Sequence, residues 1–190
     1  MGRRAVFLDR DGTLNVEVNY LHRVADLVLI GGAAQAVKLL NDADYLTIVV
    51  TNQAGIARGF FDEQAVHVLH AELKAELAAA GARVDAIYLC PHHPDFTGVC
   101  DCRKPRPGML RQAALEHSIE LSHSWLIGDT WSDIGAGQAA GCRTILVRTG
   151  YGAQLEAQLE AAAVRPAVVV DDVLAAVRFI LTADQGPSAT

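Results

Sequence analysis

The chain has 190 residues, of which 51% are apolar and 20% charged, and its formal net charge is −6. That length and composition fit one globular domain with a sizeable core. The acidic balance argues against a nucleic-acid binder, because no broad basic face is available to neutralise phosphates. Met1-Gly2-Arg3-Arg4 leads into only four apolar residues before Asp9. That is too short for the apolar region of a signal peptide, and no apolar run approaches the length of a membrane span. The expectation is a cytoplasmic protein with no membrane partner.

The first predicted strand, residues 5–9, ends in Asp9-Arg10-Asp11-Gly12-Thr13. Side chains two apart on an extended segment face the same way, so Asp9 and Asp11 aim two carboxylates at one small volume. Like charges that close raise each other's pKa unless a cation sits between them. Mg²⁺, which takes carboxylate and phosphate oxygens together, is the natural cation there. A long mixed connection over 15–29 comes next, then a helix over 33–43. The second strand, 45–51, ends in Thr51-Asn52-Gln53-Ala54-Gly55 and leads to a helix over 63–80, stopped by Gly81. The third strand, 86–90, runs into a proline-rich stretch over 91–107 and then a helix over 108–117. The fourth strand, 125–128, ends in Gly128-Asp129-Thr130-Trp131-Ser132-Asp133, with a helix over 132–140 stopped by Gly141. A strand over 144–147, a helix over 153–162 started by Gly152, a strand over 167–170 and a helix over 173–181 complete the alternation. The tail 184–190 reads as disordered, leaving 1–183 as the domain.

These strands are short, rich in Val, Ile and Leu, and do not alternate with polar residues, as expected for strands buried on both faces. Their alternation with helices predicts an α/β fold with a doubly wound parallel sheet. Sites in such sheets lie at the carboxyl ends of the strands. The two long connections, 15–29 and 91–107, are then candidates for function.

Of four cysteines, Cys90, Cys100 and Cys102 cluster, while Cys142 stands apart and reads as a small buried apolar residue. The run from Cys90 to Cys102 has C-x-H-x₇-C-x-C spacing if His92 is used, with His93 as the competing histidine. Three thiolates and an imidazole suit a closed tetrahedral Zn²⁺ site, which is structural rather than catalytic.

Taken together, Asp9-x-Asp11, the strand-end Thr51, Lys104 and Gly128-Asp129-x-x-x-Asp133 resemble the haloacid dehalogenase superfamily of phosphohydrolases. The resemblance covers essentially the whole chain. It implies that Asp9 attacks phosphorus and that Asp11 acts as acid and base. Thr51 and Lys104 then stabilise the transferring phosphoryl group. Mg²⁺ is implied to bind Asp9, the Asp11 carbonyl and Asp129, with Asp133 one layer behind.

The cysteine loop narrows this to the branch that holds the heptose bisphosphate phosphatases and the phosphatase half of histidinol-phosphate phosphatase. Both share F-L-D-R-D-G-T, T-N-Q and C-D-C-R-K-P. The runs Thr51 to Gly59, Cys90 to Pro94 and Asn15 to Tyr20 are more similar to the heptose family. That family removes the 7-phosphate of D-glycero-D-manno-heptose 1,7-bisphosphate in nucleotide-activated heptose biosynthesis, and its C-x-H pattern implies His92 as the zinc ligand. The alternatives are a histidinol-phosphate phosphatase or another small phosphomonoesterase, and, more remotely, a non-catalytic zinc-loop interaction protein. Two departures bear on substrate choice. The stretch between His92 and Cys100 is shorter than in the best-known heptose enzymes, and Thr130 stands where some members have Lys.

The gaps between motifs leave no room for a cap domain. Specificity then falls to three loops: Glu17, Val18, Asn19 and Tyr20; Asn52, Gln53 and Ala54 through to Arg58; and the zinc loop with Arg103. The Arg103 guanidinium suits a second phosphate on a small sugar-phosphate substrate. Arg10 and Arg106 are weaker candidates for that contact, since residues so placed are more often surface charges. No sticky patch is evident, so a monomer is expected.

Overall fold

The computed structural model describes residues 2–184. Six strands form one parallel sheet: β1 (Ala5–Leu8), β2 (Leu46–Asn52), β3 (Ala86–Cys90), β4 (Trp125–Gly128), β5 (Arg143–Val147) and β6 (Val168–Val170). The order across the sheet is β3-β2-β1-β4-β5-β6. The long helices are α1 (Ala33–Asp42), α3 (Glu63–Ala79), α5 (Gly108–His117), α6 (Trp131–Ala140) and α8 (Val173–Asp184). Three short ones, α2 (Ala54–Ala57), α4 (Pro94–Thr97) and α7 (Gly152–Glu156), sit in connections.

β1 is buried along its whole length and alternates between two cores. Val6 and Leu8 face the layer of α1, α3 and α8, whereas Ala5 and Phe7 face the layer of α5 and α6. The first layer is closed by apolar stripes at helical spacing. In α1 these are Ala33, Ala36, Val37 and Leu40, and in α8 Val173, Ala176, Val177 and Ile180.

Leu8 pairs with Val49 on one side and Ile127 on the other. The chain steps from β1 outward to β3, then returns to the other flank of β1 with β4. The reversal of strand order thus falls between β1 and β4. A crevice forms at the carboxyl ends of a sheet at such a reversal. Asp9 and Asp129 are the residues that emerge there. Between β1 and β2 lie only the 15–29 loop and α1, so no inserted domain covers this edge. The loop is pinned at its base by an Asn15–Leu29 bridge and by Val16 N–H donating to the Val28 carbonyl at 2.9 Å. No described helix is long and apolar enough to cross a membrane.

Three expectations need correction. The helix expected over 153–162 is α7, which ends at Glu156. The following residues form tight turns, with Leu159 N–H bonded to the Glu156 carbonyl and Ala161 N–H to that of Gln158. Residues 157–162 bury no apolar stripe, and a helix without one has little to stabilise it. The short α2 and α4 occupy stretches expected to be irregular. The disordered tail was expected from 184, but Asp184 is the last residue of α8, and 185–190 lie outside the described residues.

Asp184 closes the amino-terminal end of the sheet. Its carboxylate accepts from the Tyr45 hydroxyl, from Trp125 Nε1 at 3.4 Å and from Arg143. The Arg143 guanidinium also stacks 3.8 Å from the Trp125 ring centre. Burial alone would raise the Asp184 pKa, but the Tyr45 hydroxyl and Arg143 outweigh it and hold the carboxyl below the ordinary value of 3.8. A depressed carboxyl pKa contributes stability above the unfolded value and loses it as pH falls through the folded value. Asp184→Asn is therefore predicted to cost about 1–2 kcal/mol at pH 7 in urea unfolding. Its curve should converge with wild type as the pH falls below 3.8. A gap that does not change with pH would contradict this.

Candidate active site

β1 delivers Asp9 to the crevice, with its N–H bonded to the Ile127 carbonyl at 2.9 Å. Lys104 arrives from the loop after α4. Its ammonium donates to Asp9 Oδ1 and to the Val50 carbonyl, both at 2.7 Å, and lies 2.6 Å from Asp133 Oδ1. Burial alone would lower the Lys104 pKa, but Asp133 and Asp9 outweigh it and hold the ammonium above the usual lysine range. The Lys104 backbone is fixed from β2, because the Asn52 amide donates to the Lys104 carbonyl and accepts from its N–H, both at 3.1 Å. Asp133, in the first turn of α6, accepts from the Thr130 N–H and hydroxyl in a capping box.

Asp129 leaves β4 beside Asp9. Its Oδ2 accepts from Tyr151 N–H at 2.9 Å, while Oδ1 is buried with no hydrogen-bond partner among the described residues. Gly12 and Gly150 form the wall around it. A Cβ on either would lie about 2.3 Å or 2.0 Å from Asp129 Oδ2, and both residues have positive φ. Only glycine fits so close to the carboxylate in that conformation. Asp9, Asp129 and Asp133 each place an oxygen within 4.8 Å of the others. Three carboxylates against one ammonium leave a formal charge of −2. Burial pushes the Asp9 carboxyl up to about 7, with Asp133 adding and Lys104 opposing. Burial, then Asp9 and Asp133, push Asp129 up to about 8. The orphaned Asp129 oxygen and the excess negative charge fit a hard divalent cation such as Mg²⁺.

Asp11 lines the same pocket but is held from the other side. Arg10 grips it with Nη2 at 2.7 and 2.9 Å and Nε at 3.1 Å, and the Asn15 and Gln53 amides each donate at 3.0 Å. Arg10 is fully buried, which corrects its reading as a surface charge. Its remaining contact is His70 Nε2 at 3.1 Å. Burial and then the Arg10 charge push His70 down to about 3, so the imidazole is neutral and Nε2 accepts. Gln53 also donates to Thr51 Oγ1 at 2.8 Å, which leaves the Thr51 hydroxyl proton free for a substrate oxygen.

Cys90, His92, Cys100 and Cys102 form a second cluster. The sulfurs lie 3.0–3.6 Å apart, and His92 Nδ1 is 3.3 Å from Cys102 Sγ and 3.8 Å from Cys90 Sγ. A tetrahedron with Zn–S bonds of about 2.3 Å has edges of roughly 3.8 Å, so this donor set fits zinc. His93 points elsewhere, with Nδ1 accepting from Asp95 N–H and Nε2 facing Arg58.

The crevice opens into a pocket of about 320 Å³. Glu17, Val18, Asn19, Tyr20, Asn52, Gln53, Ala54 and Arg103 all line it, together with Asp9, Asp11, Thr51, Lys104 and Asp129. Arg103 also donates to the His92 carbonyl at 3.1 Å. Arg106 is absent from this pocket and pairs at the surface with Asp101. Arg58, expected at the end of the second specificity loop, and His93, expected only as the competing zinc histidine, also line the pocket, as does Tyr151, which was not singled out from the sequence. Tyr151 follows β5, so the strand-end rule applied one strand further would have found it.

The family model described as HAD-hydrolase-like matches residues 101–176. A Thermosynechococcus vestitus protein named D-glycero-D-manno-heptose-1,7-bisphosphate 7-phosphatase is 46% identical, over 96% of this chain and 97% of its own. A Haemophilus ducreyi protein named D-glycero-beta-D-manno-heptose-1,7-bisphosphate 7-phosphatase is 44% identical, over 85% and 92%. Among solved structures, the D,D-heptose 1,7-bisphosphate phosphatase of B. bronchiseptica, complexed with magnesium and phosphate, superposes with a TM-score of 0.86. It is 35% identical, over 95% of this chain and 99% of its own. The chain belongs to the heptose-1,7-bisphosphate 7-phosphatase family of haloacid dehalogenase-like hydrolases.

Proposed function

We propose that this chain hydrolyses the 7-phosphate of D-glycero-D-manno-heptose 1,7-bisphosphate through a phosphoaspartate on Asp9. The observation that carries the reading is the buried Lys104 ammonium shared by Asp9 and Asp133, set beside the unpartnered Asp129 oxygen. It is supported by relatives of that name across nearly the whole chain.

In this reading Asp9 attacks phosphorus, forming its O–P bond as the bond from phosphorus to the sugar oxygen breaks. Asp11, protonated and turned out of the Arg10 grip, gives a proton to the departing sugar oxygen. It then takes one from the water that attacks the phosphoaspartate, releasing inorganic phosphate and restoring Asp9. Lys104 spreads the charge that builds on the phosphoryl oxygens, and the Thr51 hydroxyl donates to one of them. Mg²⁺, held by Asp9, Asp129 and the Asp11 carbonyl, would supply electrostatic neutralisation of the phosphoryl group and the surplus carboxylates. Zn²⁺ on Cys90, His92, Cys100 and Cys102 would order the loop that carries Arg103 and Lys104.

Asp9→Asn is predicted to keep its circular-dichroism spectrum and lose phosphatase activity by about a thousandfold or more. Chelation with EDTA should abolish wild-type activity, and added Mg²⁺ should restore it. Near-wild-type turnover in Asp9→Asn would overturn the mechanism. In a side-by-side panel, phosphate release from heptose 1,7-bisphosphate should exceed that from histidinol phosphate and fructose 1,6-bisphosphate. A preference for histidinol phosphate would overturn the substrate while leaving the chemistry. Elemental analysis should find about one Zn²⁺ per chain, with three sulfurs and one nitrogen by X-ray absorption. Cys102→Ser should lose metal and local order around residues 90–104. Full activity with Mg²⁺ at zero zinc content would rule the zinc site out.

A further inference from the structure

A bisphosphate brings two dianions to an acidic pocket. Lys104 is already shared between Asp9 and Asp133, Asp11 is paired with Arg10, and Glu17 and Asp129 add further negative charge to the wall. Two guanidinium groups line the pocket, Arg103 and Arg58, and neither meets a carboxylate among the described residues. Arg103 spends one donor on the His92 carbonyl. Arg58 makes a single contact of 3.4 Å, from Nη2 to His93 Nε2, and its Nε is buried without an acceptor. A guanidinium has five N–H donors, so most of those on Arg58 are unspent.

Arg58 is nonetheless held in place. Its guanidinium lies 4.9 Å from the ring centre of Phe96 and 5.9 Å from that of Tyr20. Phe96 belongs to α4 inside the cysteine loop, Tyr20 to the 15–29 loop, and Arg58 itself caps α2 after β2. The three loops expected to set specificity therefore meet on one side chain. Tyr20 is in turn braced edge-on by Phe60 at 4.8 Å. A cation stacked between rings is oriented before substrate arrives, which lowers the ordering cost of binding.

We propose that Arg58 is a specificity-determining contact for the non-reacting phosphate of the substrate, held ready by Tyr20 and Phe96. This rests on the bisphosphate reading above and names a residue that discriminates a bisphosphate from a monophosphate. It also gives the cysteine cluster an output. By ordering residues 90–102, a metal on the cluster would set Phe96 and His93 against Arg58 and so bear on substrate choice as well as on the placing of Lys104.

The test compares kcat and KM of wild type, Arg58→Ala, Arg58→Lys and Phe96→Leu on heptose 1,7-bisphosphate, heptose 7-phosphate and histidinol phosphate. Arg58→Ala should lower kcat/KM for the bisphosphate by about tenfold to a hundredfold, mainly through KM, as expected for a lost charge-assisted contact. Its loss on heptose 7-phosphate should be at least about tenfold smaller. Arg58→Lys keeps the charge but not the fork or the ring stacking. It should show the same selectivity at smaller size, and it carries the test alone if the alanine protein does not fold. Phe96→Leu should raise KM for the bisphosphate more than for the 7-phosphate. If wild type prefers the bisphosphate and every variant loses equally on both sugar phosphates, Arg58 only joins the loops and the proposal is overturned. If wild type prefers histidinol phosphate, the functional reading itself fails and takes this inference with it.

Discussion

A fully buried ammonium between two carboxylates organises this molecule. Lys104 meets Asp9 at the end of β1 and Asp133 in the first turn of α6, and also takes the Val50 carbonyl of β2. Three elements far apart in sequence are thereby fixed at the carboxyl edge of the sheet. Such a contact is not chiefly a source of net stability, because the desolvation of each ion offsets the attraction. Removing one partner is another matter, since about 3–5 kcal/mol is lost when a buried charge is left uncompensated. The arrangement holds Asp9, the proposed nucleophile, Lys104, the proposed charge spreader, and Asp133 at fixed separation, as electrostatic preorganisation requires.

The rest of the site follows from meeting that charge. Lys104 cannot balance Asp9, Asp129 and Asp133 together, and the remaining deficit gathers at Asp129 Oδ1, which has no partner. The glycines around Asp129 leave no room for a side chain to neutralise it. On the opposite wall, Arg10 is spent on Asp11 and backed by a neutral His70. Positive charge free for substrate is therefore confined to the rim, where the cysteine loop and the α2 loop supply Arg103 and Arg58. In the proposed reading, chemistry lies at the floor on strand ends, and selectivity lies on loops braced by rings and by the cysteine cluster.

Much of this was legible in the sequence because the signals are local. Six Val-, Ile- and Leu-rich runs separated by amphipathic stretches lead to a doubly wound sheet, and each polar group at a strand end reads directly as a crevice residue. The C-x-H-x₇-C-x-C spacing likewise encloses its own cluster. What escaped was set by distant partners. Arg10 looks like a surface arginine until His70, on α3, is seen to complete its burial. Arg58 was placed in a specificity loop, but its stacking on Phe96 and Tyr20, each supplied by a different loop, was not visible. The early end of α7 came from the lack of a buried face beyond Glu156, which helix propensity alone does not reveal.

Asp9, as proposed, becomes covalently phosphorylated during turnover, and that species can be trapped. Wild-type enzyme turning over heptose 1,7-bisphosphate with Mg²⁺ would be quenched into borohydride, which reduces an acyl phosphate to homoserine, and the peptides sequenced by mass spectrometry. Homoserine is expected at position 9, dependent on both substrate and metal. Reduction at position 11 instead, or no reduction anywhere under conditions of full turnover, would contradict it.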